Sequence, residues 1–206
     1  MDVKNKLLGF LAGTVLCGVA ATANATLSAT MTFEGVAPAG STTYAVTPYT
    51  ENGFTLTNSL GAMSGSDGIF SATSGDNTNG TDIFGWCSGC GPLVISLTKD
   101  GGGLFDFLSF DSAVLETGIG PNFIDVVGLF PSQPTMTVSI TQTETWTTEN
   151  INFIGVSQVN FIFGTGHLVF PNHAMDNLVL HVPEPASLAL MGLGLLGMGY
   201  RRKGLN

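Results

Sequence analysis

Hydrophobic and polar residues alternate with a period of two through much of the middle of the chain. The clearest example is Thr135 to Trp146, where Met136, Val138 and Ile140 alternate with threonine and serine residues. In a β-strand this period places apolar side chains on one face and a row of hydroxyl groups on the other. The pattern predicts an antiparallel strand with one wet face, and a flat hydroxyl-bearing binding surface is the rarer alternative.

Other short apolar segments recur at a spacing of about ten residues, with Gly, Pro, Asn and Ser between them. Leu104 to Phe110 and Ile124 to Phe130 are more continuously apolar, which predicts strands covered on both faces. Ser59 to Gly80 is rich in Gly, Ser, Asn, Thr and Asp, which predicts long loops. No segment between the two ends has the pattern of a capped amphipathic helix. The fold class predicted is therefore all-β, an antiparallel β-sandwich or jelly roll. Further predicted strands are Leu93 to Thr98, Asn160 to Phe163, His167 to Phe170 and Leu178 to Val182.

The first 25 residues have the pattern of a signal peptide. Lys4 and Lys6 precede an apolar run that is followed by Ala23-Asn24-Ala25, the order of a basic region, an apolar helix and an A-x-A cleavage site. We expect the Sec machinery to export the chain and a signal peptidase to cut between Ala25 and Thr26. An uncleaved membrane anchor is the alternative, but the apolar run is short for a spanning helix.

The last 25 residues contain three parts in a fixed order. Val182-Pro183-Glu184-Pro185 comes first, an uncharged run from Ala186 to Tyr200 follows, and Arg201-Arg202-Lys203 comes last. This arrangement closely resembles the PEP-CTERM sorting signal. The resemblance implies export, transient anchoring in the inner membrane, and processing near Pro183-Glu184-Pro185 by an exosortase-type membrane peptidase. Such proteins usually belong to Gram-negative bacteria that make exopolysaccharide.

The length and charge of this tail agree with a short transmembrane helix. A helix of fifteen residues spans about 22 Å, less than the roughly 30 Å of a hydrocarbon core. The basic cluster can reach the headgroups and offset part of the deficit. Positive charge at both ends of the chain places both ends on the cytoplasmic side. We predict a signal peptide over 1–25, a body over 26–181 and a sorting tail over 182–206; the alternative for the tail is an anchor that is never cut.

The body carries few charges, and nearly all of them are negative. Only 10% of the chain is Asp, Glu, Lys or Arg, against about 25% in typical globular proteins. Between Thr26 and His181 one basic residue, Lys99, stands beside thirteen acidic ones, a net charge of −12. Such a surface repels phosphate backbones, so we expect no binding to nucleic acid. The acidic residues either keep the protein soluble or attract divalent cations.

Three segments of the body carry a second resemblance. Gly103 to Phe110, Phe153 to Val159 and Met175 to Leu180 look like the bodies of many PEP-CTERM proteins. Those bodies in turn are similar to jelly-roll carbohydrate-binding modules, whose last strand often begins with an Asp-Asn pair. The resemblance implies a sandwich fold and, less directly, sugar binding.

Cys87 and Cys90 are the only cysteines outside the predicted signal peptide. Trp86-Cys87-Ser88-Gly89-Cys90 looks like a thioredoxin motif, but the following Leu93 to Leu97 reads as a strand rather than the helix that such a motif needs. An oxidising compartment favours a disulfide between Cys87 and Cys90. A redox role is one alternative. The other is a metal site completed by His167, His173 or His181.

Two oxygen-rich segments are candidate calcium ligands. Asp76 to Asp82 places oxygen ligands at alternate positions, as a calcium loop does, although it departs from the EF-hand pattern. Asp176-Asn177 is the second candidate. Asp76, Asp82, Asp176 and Asn177 are therefore candidate calcium ligands, with a solvated turn or a strand-end hydrogen bond as the alternative. No other cofactor is expected.

Little in the sequence indicates catalysis. No Gly-x-Ser-x-Gly elbow occurs, and no Walker loop is present. Paired carboxylates for a glycoside hydrolase are available among Glu116, Asp125, Glu144 and Glu149. Our interpretation is a non-enzymatic surface or matrix protein, sorted through its tail, that binds exopolysaccharide or serves as a structural component. The alternative is a secreted polysaccharide hydrolase. Aromatic residues that would stack on sugars, if exposed, are Trp86, Trp146, Tyr44 and Tyr49.

Overall fold

A computed structural model of the chain describes residues 26–44, 48–58, 67–87, 94–116, 122–163 and 172–183. The chain divides into two units, Met1–Leu27 with Pro183–Asn206, and Ser28–Val182. The second unit, which contains nearly all of the predicted body, is described below. Within these ranges all regular structure is β, and no helix is long and apolar enough to cross a membrane. The strands are β1 Thr26–Met31, β2 Thr42–Tyr44, β3 Tyr49–Glu51, β4 Phe54–Asn58, β5 Asp67–Phe70, β6 Ile83–Cys87, β7 Val94–Lys99, β8 Phe105–Val114, β9 Asn122–Leu129, β10 Met136–Gln142, β11 Thr147–Val156, β12 Gln158–Phe163 and β13 Asn172–Pro183.

The strands form two sheets. In sheet A the order is β11-β8-β13-β6-β5-β2, with β1 also paired to β13; in sheet B it is β10-β9-β12-β7-β4-β3. Every pair whose register is resolved is antiparallel. The inner faces of the two sheets pack on each other, which confirms the predicted all-β antiparallel sandwich.

Phenylalanine rings hold the two sheets together. Phe161 of sheet B makes edge-to-face contacts with Phe107 and Phe110 of sheet A, at ring-centroid distances of 5.8 and 5.4 Å. Gly128 of sheet B packs directly against a ring of sheet A, because a Cβ at that position would lie 2.7 Å from the Phe153 ring. Only glycine fits there, because any side chain would displace that ring.

One end of the core is polar. His173 is 1% exposed and Gln142 is fully buried. His173 Nδ1 is hydrogen-bonded to Gln142 Oε1, and Gln142 Nε2 donates to Ala174 O at 3.2 Å. Burial lowers the pKa of His173 to about 3, so the imidazole is neutral at pH 7. His173 therefore belongs to the core of the sandwich.

Two expectations from the sequence are wrong. The Ile124 to Phe130 segment, which lies largely in β9, is not covered on both faces, because its side chains alternate between buried and more exposed positions. The Ser59 to Gly80 segment is not all loop, because Asp67–Phe70 forms β5 between β2 and β6. Ile69 supplies a core side chain there, and this burial outweighs the turn-forming composition around it.

The outer face of sheet A carries a second, smaller hydrophobic cluster. Phe70, Ile83, Leu115 and Ala174 are buried there, and Trp146 packs against them. Gly85 makes room for it, since a Cβ at that position would lie 2.8 Å from the Phe70 ring. This cluster lies beneath the connection between β5 and β6, residues 71–82, which we call the covering loop.

Candidate functional site

The targeting segments lie almost wholly outside the described residues. This applies to the predicted signal peptide with Ala23 and Ala25, and to Glu184, Pro185, Arg201, Arg202 and Lys203 of the tail. Thr26 begins β1, and Val182 and Pro183 end β13. Cys87 ends β6, but its side chain and the whole of Cys90 are outside the described part, so the disulfide stays a prediction.

The covering loop is fixed to sheet A through one buried carboxylate. Asp176 Oδ2 accepts hydrogen bonds from Asn79 Nδ2 and Thr81 Oγ1, both at 2.8 Å. The Asp176 side chain is 0% exposed although it lies on the outer side of the sheet. The two oxygen-rich segments seen in the sequence therefore meet at one place.

A bulge in β13 creates this geometry. The pairing of β13 with β8 shifts between Asp176 and Val179, and Asn177 has a φ of 49°. Asparagine is among the residues that tolerate this left-handed conformation best. Asn177 Nδ2 then bridges two carboxylates, donating to Asp111 Oδ2 at 2.9 Å and to Asp176 Oδ2 at 3.2 Å. The Asp-Asn pair thus lies inside the strand rather than at its start.

Burial dominates the electrostatics of this centre. It raises the pKa of Asp176 to about 6, although hydrogen bonds from Asn79, Thr81 and Asn177 act in the opposite direction and nearby Glu34 acts in the same one. The carboxylate is closed to solvent and occupied by donors from the chain itself. This arrangement holds the covering loop on the sheet. We call Asp176 and Asn177, with the donors Asn79 and Thr81, the hub.

The four candidate calcium ligands are used differently. Asp82 is 7% exposed, and its two oxygens accept backbone N–H groups of Ala72 at 3.1 Å and Gly35 at 3.0 Å. Asp176 and Asn177 form the hub, whereas Asp76 lines a cleft. Over the ranges that the structure describes, no three His, Cys, Asp or Glu side chains are grouped as a metal site would require. Calcium stays a prediction.

A cleft of about 420 Å³ opens beside the covering loop and is lined by Gly75, Asp76, Asn77, Leu115 and Glu116. Asn77 fixes its position, since its N–H donates to Leu115 O and its amide donates to Val114 O and Glu144 O, each at 2.8 Å. Trp146 supports it from below by donating Nε1–H to Asn77 O at 3.1 Å. The cleft brings together two carboxylates, Asp76 and Glu116.

The other candidate carboxylates and aromatic residues are scattered. Asp125 lies on the outer face of sheet B and Glu149 on β11 of sheet A. Tyr49 packs on Phe33 at 5.3 Å and donates its hydroxyl to Glu51 at 2.9 Å, so its ring belongs to the core rim. Trp146 is half-buried under the covering loop. The side chains of Trp86 and Tyr44 lie outside the described part.

The outer face of sheet B presents hydroxyl and amide groups instead. Asn160 Oδ1 accepts hydrogen bonds from Ser96 Oγ at 2.8 Å and from Gln158 Nε2 at 2.6 Å. Gln158 Nε2 also reaches Ser96 Oγ at 3.2 Å. We call these three residues the amide cluster. The same face carries Thr55, Thr57, Thr98, Thr137, Ser139 and Thr141.

The amide cluster keeps hydrogen-bonding capacity toward solvent. Within the described chain, Asn160 Nδ2 and Gln158 Oε1 take part in no hydrogen bond. One side chain therefore offers donors and its neighbour an acceptor, both on a half-buried surface. Sugar hydroxyls both donate and accept, so this combination suits them.

Neither the amide cluster nor the donors of the hub were predicted from the sequence. The alternation Gln158-Val159-Asn160-Phe161 contains the signal for an outward pair of amides on a strand. The hub partners Asn79 and Thr81 carry no such signal, because they lie 97 and 95 positions from Asp176 along the chain.

Comparison with protein families identifies the end of the chain. Residues 181–203 match the PEP-CTERM protein-sorting motif. The tail is therefore similar to a signal that sorts exported proteins to the cell surface, as the three-part pattern predicts. No curated protein matches the chain.

Solved structures similar to the body include carbohydrate-binding modules. A family 61 module in complex with β-1,4-galactotriose has 10% identity and a TM-score of 0.39, covering 65% of this chain and 90% of the module. A mutant family 29 module has 12% identity and a TM-score of 0.43, covering 76% and 91%. The enzymatically active domain of tailspike protein 4 of bacteriophage CBA120 has 11% identity and a TM-score of 0.38, covering 62% and 19%. Similarity at this level says nothing about what this chain binds or catalyses.

Proposed function

We propose that the protein is exported, held in the inner membrane by its tail, cut by an exosortase-type peptidase, and then acts at the cell surface or in the extracellular matrix. The observation that carries this proposal is the match of residues 181–203 to the PEP-CTERM protein-sorting motif. The basic cluster after the apolar run is consistent with it, because positive charge keeps that end on the cytoplasmic side.

Intact-mass spectrometry of protein recovered from envelope and extracellular fractions tests the sorting step. We expect a species that begins at Thr26 and ends near Pro183 to Pro185, with or without added mass. A replacement of Arg201, Arg202 and Lys203 by alanine should reduce the processed species. Recovery of a wild-type chain that retains these three residues in every fraction would contradict processing of the tail.

We further propose that the body binds polysaccharide without cleaving it, through the outer face of sheet B. The amide cluster supports this, because Asn160 Nδ2 and Gln158 Oε1 can donate to and accept from neighbouring sugar hydroxyls. The side chains of Asn160 and Gln158 are already held in place by hydrogen bonds with Ser96 in the unbound protein. Binding therefore costs less side-chain entropy than it would for two mobile side chains. Hydroxyl groups along β4, β7 and β10 extend the polar surface.

The charge of the body restricts the class of polysaccharide. With thirteen acidic residues and one basic residue between Thr26 and His181, the body repels polyanions at low ionic strength. We therefore propose neutral chains as ligands in preference to uronic-acid polymers. The preference should weaken as salt is added, because screening shortens the range of the repulsion.

Affinity electrophoresis in gels that contain neutral galactan, xyloglucan or mixed-linkage glucan, or the acidic polymer alginate, tests this binding. We expect retardation by at least one neutral polysaccharide and loss of most of it in Asn160→Ala. Asn150→Ala on β11 is the matched control, because Asn150 is an exposed strand asparagine of sheet A. Equal retardation of Asn160→Ala and wild type would contradict the proposed surface.

The cleft beside the covering loop favours a second candidate, a polysaccharide hydrolase. Asp76 and Glu116 line this cleft together, and hydrolysis of a glycosidic bond needs two carboxyl groups facing one bond. If this candidate is correct, the wild type releases reducing ends from a polysaccharide and Glu116→Gln abolishes the release while the protein stays folded. Retardation without any release of reducing ends supports the binding protein instead.

A further inference from the structure

The edges of the two sheets differ in how open they are to another strand. β2 and β3 have only three residues each. β11 carries register shifts around Phe153, with positive φ at Asn152 and Gly155, so it is bent by bulges. Thr30 O of β1 accepts a hydrogen bond from Asn52 Nδ2 at 2.7 Å. Short strands, bulges and side-chain caps are the usual means of blocking an edge.

β10 has none of these protections. Its seven residues pair with β9 in one uninterrupted register, from Met136 opposite Gly128 to Gln142 opposite Asn122. Its sequence, Met-Thr-Val-Ser-Ile-Thr-Gln, contains neither proline nor a charged residue. It ends the order of sheet B, so in the described part of the chain no strand pairs with its outer edge. Such an edge is a template for strand addition.

The sequence of β10 is complementary to itself in the antiparallel sense. Pairing two copies about Ser139 places Thr137 opposite Thr141 on the outer face and Val138 opposite Ile140 on the inner face. Hydroxyl groups then meet hydroxyl groups in the outer row and Val138 meets Ile140 in the inner row, while Met136 meets Gln142 at the two ends of the paired segment. This register also uses the full length of the strand and keeps the inner and outer faces of both copies aligned.

Charge favours a second copy at this edge over another contact surface of the same chain. The body repels itself with a net charge of −12, so self-association needs an uncharged surface. The nearest carboxylate is Asp125, opposite Ser139 on β9. In the paired arrangement the two Asp125 residues lie three strand spacings apart, about 14 Å, which exceeds the Debye length of about 8 Å at physiological salt.

We infer that the protein forms a two-fold symmetric dimer by antiparallel pairing of β10 with β10 of a second copy, with Ser139 at the two-fold axis. This contact is isologous and closes after two copies. It joins the two B sheets into one sheet of twelve strands. The outer faces become continuous, which would place two amide clusters on one surface and increase the avidity for a long polymer. The dimer itself does not depend on the proposed ligand.

Light scattering coupled to size-exclusion chromatography of the exported protein tests this inference. We expect twice the mass of one chain. Thr137→Lys/Thr141→Lys should halve that mass, because each lysine would face another across the interface. Thr137→Lys/Thr141→Glu is the matched control and should retain the dimer, because each lysine would face a glutamate. Neither threonine hydroxyl is bonded within the described chain, so both variants should fold, which circular dichroism checks.

Three outcomes of this experiment would overturn the inference. A monomeric wild type excludes the dimer, and a Thr137→Lys/Thr141→Lys variant that stays dimeric places the contact elsewhere. Loss of the dimer in both charge variants rejects the register.

As a second test, Ser139→Cys should form an intermolecular disulfide on a non-reducing gel, because opposite Cβ atoms lie about 4.5–5.5 Å apart. Thr141→Cys alone should not exceed the wild-type background, and equal cross-linking by both contradicts pairing about Ser139.

Discussion

The outer faces of the two sheets both carry polar side chains, and the two faces differ in how these groups are used. On sheet A the covering loop closes over Asp176, and Asn177 is hydrogen-bonded to Asp111 beside it, so these polar groups are used within the chain. On sheet B the side chains of the amide cluster are half-buried, and Asn160 Nδ2 and Gln158 Oε1 keep hydrogen-bonding capacity toward solvent.

The difference separates two uses of the same residue types. Polar groups buried under a loop must be satisfied by the chain, so they contribute to stability and specify where the loop lies. Polar groups on a bare strand face add little to stability and remain free for a ligand. Substitutions on the two faces should therefore affect different properties.

The largest contrast in stability should come from the two outward phenylalanines. Phe70 is 8% exposed beneath the covering loop, and Phe123 on sheet B is 43% exposed. We expect Phe70→Ala to lower the free energy of unfolding by about 3–5 kcal/mol, since it leaves a cavity. Phe123→Ala should cost less than about 1 kcal/mol. Urea unfolding measures both, and similar losses would mean that the two faces are equally covered.

The hub should show a smaller contrast of the same kind. Asp176→Ala removes the buried acceptor of Asn79, Thr81 and Asn177. We expect a loss of about 2–3 kcal/mol, because hydrogen bonds that hold the covering loop on the sheet are lost together. Asn160→Ala on the bare face should change stability by less than about 0.5 kcal/mol. Thermal unfolding of the two variants against wild type gives the comparison. A destabilised Asn160→Ala would assign the amide cluster to the fold rather than to a ligand.

The pH dependence of stability should identify the two buried titratable groups. The pKa of Asp176 is raised from 3.8 to about 6 in the fold, so folding takes up a proton and this contribution to stability falls as pH rises from 3.8 to about 6. The pKa of His173 is lowered from 6.5 to about 3, so its contribution falls as pH drops from 6.5 toward 3. The two slopes oppose each other, and variants are needed to separate them.

Asp176→Asn removes the first slope and leaves the second. Relative to this variant, wild type should lose stability between about pH 4 and about pH 6, by up to about 3 kcal/mol for a shift of this size. Urea unfolding at several pH values in this window, with a chelator present, measures the difference. A constant difference across the window would show that Asp176 does not titrate there.

Removal of calcium should have the smallest effect. The carboxylates of Asp82 and Asp176 already accept hydrogen bonds from the chain, so the loop has its connections without an ion. We expect a chelator to leave the melting temperature of the exported protein unchanged. A fall on chelation that added calcium reverses would establish a calcium site and identify the covering loop as its place.

The sequence predicts the sandwich well because burial of alternate side chains produces an alternation of apolar and polar residues within each strand. The row of hydroxyl groups on β10 is an example, since Thr137, Ser139 and Thr141 are all exposed as the alternation predicts. The tail is equally local, because its motif, apolar run and basic cluster are contiguous.

Whether a loop or another strand covers the outer face of a strand does not show in that strand's own sequence pattern. Leu104 to Phe110 and Ile124 to Phe130 look alike in sequence, yet only β8 is buried along much of both faces. The hub was not predictable either, because Asn79 and Asp176 lie 97 positions apart in the sequence and no local pattern connects them. Local patterns identify the strands, and the long-range connections decide which polar groups remain open.

A titration followed by nuclear magnetic resonance tests the functional division of the two faces most directly. The exported protein, labelled with ¹⁵N, would be titrated with an oligosaccharide of the neutral polysaccharide that retards it. We expect amide shifts to change around Ser96, Gln158 and Asn160 and to stay constant around Asp111 and Asn177. Shifts confined to the covering loop and to Glu116 would contradict this account and move the binding site to the cleft on sheet A.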